Sequence, residues 1–335
     1  MPAPVTLDDV ARLAGVSRAT ASRALNGRPG VRPDVRDRVE RIAASLSFVA
    51  NRAARHLASG RSSVIGLVIP TADLRIDPYG ASMIHAVGRA ANFADQGLML
   101  HLAADEPVRS VQHILRDGLI DGVIVGAVAV GIPWVDELLD GPLPTVLVGR
   151  HPTRTDVDSV SVENVESSAA AVEHLFSVGC RRVGTIAGPL DRADGRERLQ
   201  GYRLAHERRG LALDDSLVVQ GDFHREAGKL GAAALLERGI DGLFTANDEM
   251  ALGALWSFAR AGVRVPYDVA VAGFDGTSLN DFVEPTLTSV RQPFDAIAEA
   301  AVARLLSRID GEPGVRQTVI QAVLEPGGSS ARSPA

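Results

Sequence analysis

Two sets of residues in this chain could do chemistry. Between Thr6 and Asn26, hydroxyls, an amide and guanidinium groups recur over a short stretch. Thr6, Ser17, Ser22 and Asn26 can each hydrogen-bond a phosphate oxygen, which positions a protein on a duplex without reading its sequence. Arg18 and Arg23 each carry a planar fork able to bond O6 and N7 of one guanine, whereas Ala19 offers only a methyl to a thymine methyl or to groove shape. The second set is dispersed: Asn247 and Asp275 each follow a short apolar run, and Arg198 lies in a helical stretch after Gly188-Pro189. A carboxylate accepts two hydroxyl protons while Arg and Asn donate back, which suits a polyhydroxyl ligand, and Tyr79 and Phe223 can lie against a ring face.

Catalytic patterns are missing. There is no Gly-x-Ser-x-Gly elbow, no Gly-x-Gly-x-x-Gly and no His-Glu-x-x-His; His206-Glu-Arg-Arg-Gly210 fails at its last position. The stretch Gly221 to Gly228-Lys229-Leu230 has the wrong spacing for a P-loop and lacks its Ser/Thr. A single cysteine, Cys180, rules out an intrachain disulfide and a multi-cysteine zinc site, and nothing around it marks a nucleophile, so it reads as a plain buried thiol. The expectation is a protein that is not an enzyme and carries no metal and no cofactor.

Charge is unevenly placed. Residues 1–61 hold eleven arginines and five acids, a net +6, which leaves −12 for the remainder of a chain whose total is −6. A basic head on an acidic body is the footprint of a protein that brings one end to phosphate. At 335 residues with 46% hydrophobic and 23% charged residues, the chain is expected to form two or three soluble domains. No apolar run approaches the roughly 20 residues of a membrane span, and no secretory signal is visible at the N-terminus, so a cytoplasmic location, on the nucleoid and with no membrane partner, is expected.

The elements that must position the first set are legible. Thr6-Leu7-Asp8-Asp9 reads as a helix start with an acid at the third helical position, and Val10, Ala11, Leu13 and Ala14 continue it to Gly15. Ser17 caps a second helix through Leu25; after a polar loop, Pro33 opens a third, with Val35, Val39, Ile42 and Leu46 at three- and four-residue spacing. Two helices crossing at a three-residue turn form a helix-turn-helix, whose second helix enters the major groove. The run from Val5 to Asn26 resembles the head of the lactose repressor and galactose repressor (LacI/GalR) family of bacterial transcriptional regulators.

That resemblance implies more. Leu7 joins the DNA-contacting positions, and the next segment, Asn51 to Ser59, would form a hinge helix in the minor groove when a dimer sits on its operator. Leu57 would wedge between base pairs and Ala54 would let the two hinges approach closely. Nine residues are too few for a stable isolated helix, so hinge folding can depend on DNA.

From Ser63 onward, short apolar runs alternate with helical stretches: Val64–Ile69, Leu98–Leu102, Gly122–Gly126 and Val146–Val148, then Arg182–Ala187, Leu217–Gln220, Gly242–Ala246 and Val269–Gly273. Continuous apolar strands with helices between them predict parallel sheets covered on both faces. Leu119-Ile-Asp-Gly is echoed by Gly239-Ile-Asp-Gly, which suggests two similar α/β lobes with a ligand at the carboxyl ends of the strands. The resemblance spans nearly the whole chain, including Ala246–Ala254 and Pro285–Gln292. It implies an all-α helix-turn-helix head on an α/β body of two doubly wound parallel-sheet lobes, like a periplasmic binding protein.

Its domains would be 1–50 for the head, 51–61 for the hinge, 62–162 with 294–320 for the first lobe, and 163–293 with 321–328 for the second. The Gly/Ser/Pro-rich end predicts disorder, with 329–335 as a free tail. Effector-binding positions carried over by the resemblance are Tyr79, Arg198, Phe223, Asn247, Asp275 and Gln292. Arg150 stands where some members place an acid, and Arg192 resembles a purine-contacting position, although Asp194 follows where a hydroxyl residue would sit. The effector implied is a sugar or sugar derivative, with a purine or nucleoside co-repressor as the alternative; a solute-binding protein without DNA function is a rival of another class. The C-terminus lacks leucine heptads, so a homodimer on a palindromic operator is expected, acting as a repressor whose DNA affinity the effector sets.

Overall fold

The computed structural model describes residues 5–25, 27, 29–46, 48, 61–70, 77–103, 118–126, 129–130 and 132–332. It divides into two compact units, Met1–Ser63 and Val64–Ala335.

In the first unit, helices α1 (Leu7–Ala14), α2 (Arg18–Leu25) and α3 (Pro33–Ser45) enclose Val10, Ala11, Ala14, Ala21, Ala24, Val35, Val39 and Ala43. Local chemistry dictates each boundary. The Asp9 backbone N–H donates to Thr6 Oγ1 while Asp9 Oδ2 accepts the Thr6 N–H at 3.0 Å, a reciprocal cap. Gly15 ends α1 at φ 63°, a left-handed conformation that costs glycine little. Ser17 Oγ accepts the Thr20 N–H at 3.1 Å to open α2, and Pro33 fills the first position of α3, where no backbone donor is needed.

The second unit holds two six-stranded sheets. The first is ordered β2 (Gly97–Ala103), β1 (Val64–Pro70), β3 (Gly122–Gly126), β4 (Thr145–Val148), β5 (Ser159–Val162), β11 (Gln317–Ile320). The second repeats that order with β7 (Val218–Gln220), β6 (Val183–Ala187), β8 (Gly242–Thr245), β9 (Ala270–Asp275), β10 (Thr288–Arg291), β12 (Val323–Glu325). Helices α4 (Pro78–Phe93), α5 (Pro133–Leu139) and α10 (Phe294–Ile309) cover the first sheet; α6 (Asn164–Ser177), α7 (Ala193–Arg208), α8 (Arg225–Glu237) and α9 (Asp248–Arg260) cover the second. Strands β3, β4, β6, β8 and β9 are buried along their whole length, which explains their mostly apolar sequences.

The Asp-Gly echo has a physical reason. Gly122 and Gly242 begin the equivalent strands β3 and β8, where an added Cβ would stand 2.8 Å from Leu305 and 3.0 Å from Cys180. Cys180 itself is buried, its thiol donating to the Asp241 carbonyl at 3.3 Å, and burial pushes its pKa up to about 11.

The chain passes between the lobes three times, at 162–164, 291–294 and 320–323. Four strands were not foreseen. β5 and β10 are interrupted by serine or threonine, β11 and β12 are short edge strands, and β12 runs antiparallel to β10. The predicted tail also needs correction over 329–332. Ser329 and Ser330 are buried: Ser329 Oγ accepts the Thr288 N–H at 2.9 Å and donates to the Val271 carbonyl at 2.7 Å. Ser330 Oγ meets His174 Nε2 at 2.7 Å, and Arg332 Nε donates to the Pro266 carbonyl at 2.7 Å. Hydroxyls that meet buried backbone groups order a segment whose composition alone cannot; residues 333–335 lie outside the described residues.

Candidate functional site

The head displays its polar set on one helix and its approaches. Ala21 and Ala24 turn inward from α2, so Arg18, Ala19 and Arg23 are left exposed and Ser22 half-buried on the outer face. Arg18 Nε lies 3.6 Å from Asp8, a solvent-exposed pair that water screens, so the guanidinium can be given up to a stronger partner. Thr6 and Ser17 sit exposed at the two helix starts, where backbone N–H groups and the helix dipole favour an anion. The Leu7 side chain packs against the head core, so what it brings to such a site is the first backbone N–H of α1. Asn26, Ala54 and Leu57 fall outside the described residues.

In the body, a cleft opens where strand ends of both lobes face each other. Tyr79, Arg150, Arg198 and Gln292, all foreseen, line it with Asn164, Asp194, Ser161 and the apolar Val148, Val160, Val162 and Ile297. Arg198 is its fixed centre. Rising from α7, its Nε donates to Asn164 Oδ1 at 3.0 Å, and its Nη1 donates to the Ala246 carbonyl at 2.7 Å and lies 3.3 Å from Asp275 Oδ1. The guanidinium plane also covers the Phe274 ring at 3.8 Å.

Asp275 ends β9 at φ 115°, a strained conformation for any residue other than glycine, and Gln292 Nε2 donates to it at 2.7 Å. Burial raises the Asp275 pKa well above the ordinary carboxylate range, while the Arg198 charge pulls it back. The Tyr79 ring meets Phe294 edge-on at 5.6 Å, and burial, reinforced by the Asp275 charge, raises its phenol pKa.

Phe223, Asn247 and Arg192 act one layer behind. Asn247 caps α9 by accepting the Met250 N–H at 2.9 Å and donates to the Phe223 carbonyl at 2.9 Å, so its amide positions Phe223. Gly188 makes room for that ring: a Cβ there would lie 2.5 Å from it. Arg192 stands 5.1 Å over the Phe223 ring and 3.5 Å from Asp194, while Arg150 lies 3.6 Å from Glu197.

Asn164 and Asp194, which line the cleft, and Glu197, which contacts Asn164 and Arg150, were not singled out as site residues in the sequence. Asn164 follows the carboxyl end of β5 at the first crossover, so the rule that found Asn247 and Asp275 would have found it had β5 been recognised. Asp194 and Glu197 carry no signal beyond sharing the first turns of the Arg198 helix.

Among the described residues, no helix is long and apolar enough to cross a membrane. A model of the periplasmic binding protein-like domain matches residues 172–330, and the model described as bacterial regulatory proteins, lacI family, matches residues 6–51. The HTH-type transcriptional regulator CelR of Thermobifida fusca is 36% identical over 318 residues, covering 92% of each chain. A solved complex of the transcriptional regulator CelR with cellobiose superposes at TM-score 0.76 and 33% identity, over 97% of this chain and 99% of that one. The lac repressor dimer bound to operator and the anti-inducer ONPF gives TM-score 0.80 at 26% identity, over 98% and 99%. The head's exposed basic helix, the two lobes around a polar cleft and likeness along nearly the full chain agree: this chain belongs to the lacI family of bacterial regulatory proteins, DNA-binding regulators of transcription.

Proposed function

We propose that this protein is a cytoplasmic, non-catalytic repressor whose affinity for operator DNA is set by a sugar bound in the cleft of the body. The observation that carries the reading is the Arg198 constellation: the Arg198 guanidinium and the Asn164 and Gln292 amides line one polar cleft, held by the Asp275 carboxylate behind them, and with Asp194 on the same lining they can donate to and accept from a polyhydroxyl ring. That CelR is solved with cellobiose supports the ligand class. Tyr79, Arg150, Arg192, Arg198, Phe223, Asn247, Asp275 and Gln292 are the effector residues of this reading. Arg18, Ala19 and Arg23 are its base readers, with Thr6, Leu7, Ser17, Ser22 and Asn26 at phosphates and Ala54 and Leu57 in the hinge over 51–61.

A homodimer on a palindromic operator completes it. Leu230 on α8 and Trp256 on α9 are 67% and 53% exposed, apolar surface of the kind a second subunit covers. Sedimentation of the purified protein, with and without DNA, tests the dimer. A purine effector is the second reading, favoured by Arg192 and Phe223 stacked at one edge of the site. Thermal-shift screening against sugars and purines, with operator titrations repeated for each hit, separates the two: the expected result is a sugar that both raises the melting temperature and changes operator affinity.

A further inference from the structure

The charged groups around the cleft cancel one another. Arg150 Nε lies 3.6 Å from Glu197 Oε1, Arg192 Nε 3.5 Å from Asp194 Oδ1, and Arg198 Nη1 3.3 Å from Asp275 Oδ1. Asn164 joins two of these pairs, donating to Glu197 Oε2 at 2.8 Å and accepting from Arg198 Nε at 3.0 Å. Arg196, on the same helix, donates to the Leu190 and Pro152 carbonyls, each at 2.8 Å, and faces no carboxylate of the cleft. Each arginine lining the cleft among the described residues therefore already has its carboxylate.

A phosphate or carboxylate on a ligand would have to draw a guanidinium off its partner, leaving an acid uncompensated at the edge of the protein interior. A hydroxyl asks for less, because it bonds the remaining N–H groups and lone pairs without separating charge. Resting on the sugar reading above, we infer that the cleft selects an uncharged saccharide over its phosphorylated or acidic counterpart, and that Glu197, by holding Arg150, is the residue that sets this selection.

Glu197 and Arg150 are the changeable pair. Their side chains are 20% and 46% exposed, at the mouth of the cleft, against 5% and 6% for Arg198 and Asp275. Glu197→Gln keeps an oxygen for the Asn164 N–H and removes the charge that engages Arg150, which then faces the ligand as a free cation.

The test is calorimetric titration of the full chain with matched pairs: glucose and glucose 6-phosphate, ribose and ribose 5-phosphate, cellobiose and cellobionate. The unsubstituted protein should bind the neutral member of its preferred pair at least about tenfold more tightly. Glu197→Gln should narrow that gap by about tenfold through tighter binding of the anion, and adding Arg150→Gln should reverse the gain. An anion bound as tightly as its neutral partner by the unsubstituted protein overturns the inference and leaves the sugar reading standing. An unchanged gap in a Glu197→Gln protein that melts normally overturns the role of Glu197. Should that variant fail to fold, Glu197→Asp takes its place, since the shorter side chain draws its carboxylate back from Arg150: an unchanged gap in that variant overturns the role of Glu197. Binding of none of these sugars, with or without a purine hit, overturns the sugar reading and the inference with it.

Discussion

Head and body use arginine in opposite ways. On α2 the guanidinium groups stand in water, that of Arg18 with its side chain 68% exposed; in the cleft Arg198 is buried and bonded on three sides within the chain. An exposed cation keeps its long-range field and can neutralise a polyanion, releasing counterions as it does so. A buried, compensated cation has little field left to offer and instead fixes the directions of hydrogen bonds. One molecule thus holds a surface built for charge and a cavity built for shape, and each loses function differently when cut.

The largest expected effect is at the centre of the cleft. Arg198→Ala leaves Asp275 buried without its cation and should lower the stability of the body by about 3–5 kcal/mol, read by scanning calorimetry, with the effector response lost. Asp275→Ala should likewise abolish the response of DNA binding to effector while leaving operator affinity within about threefold, because the head makes its contacts without the cleft. A large loss of operator affinity in Asp275→Ala would break the separation of the two regions.

On the head, Arg18→Ala should cost operator binding about 1–3 kcal/mol in gel-shift titrations and leave the melting temperature of the body unchanged. Leu57→Ala should weaken operator binding far more than binding to random DNA, and equal losses on the two DNAs would refute the wedge. Smaller still, Thr6→Ala removes a reciprocal cap and should destabilise the head by about 1 kcal/mol, visible as earlier helical melting by circular dichroism.

The smallest effect concerns acid, and the two regions should respond with opposite sign. Hydrogen bonds from the Thr6 and Arg12 side chains lower the Asp9 pKa from 3.8 to about 2, so its contribution is present above pH 4 and disappears as pH falls toward 2. Asp248 is buried, and desolvation outweighs its bonds from Ser289, Thr277 and Asn280, pushing its pKa up to about 6. Its contribution is therefore full below pH 4 and lost as pH rises through 6. Asp248→Asn should flatten the pH dependence of the body's melting temperature between pH 4 and 6, and an unaltered slope would reassign it to the neighbouring Asp275.

Legibility in the sequence followed the range of the forces. Thr6, Gly15, Ser17 and Pro33 were read correctly as helix boundaries because each acts on backbone groups within four residues of itself. Strands such as β3 could be read from their apolar runs, whereas β5, equally buried but with serine alternating with valine, could not, and Asn164 at its end was overlooked with it. Ser329 and Ser330 misled for the same reason: composition reports what a residue prefers alone, and the Ser329 partners Thr288 and Val271 are 41 and 58 residues away, the Ser330 partner His174 156.

The sequence by itself determined the three-helix head, the segregation of positive charge onto it and the two-lobed α/β body. These rest on capping, periodicity and net charge, which short stretches carry complete. Only the tertiary structure decided that Arg198 meets Asp275 from 77 residues away and Asn164 from 34, and that Arg150 and Arg192 arrive beside Glu197 and Asp194. Residue type specifies what a side chain can bond to; the three crossings of the chain between its sheets select which partner is there, and so turn a set of separately polar residues into a cleft of balanced charge.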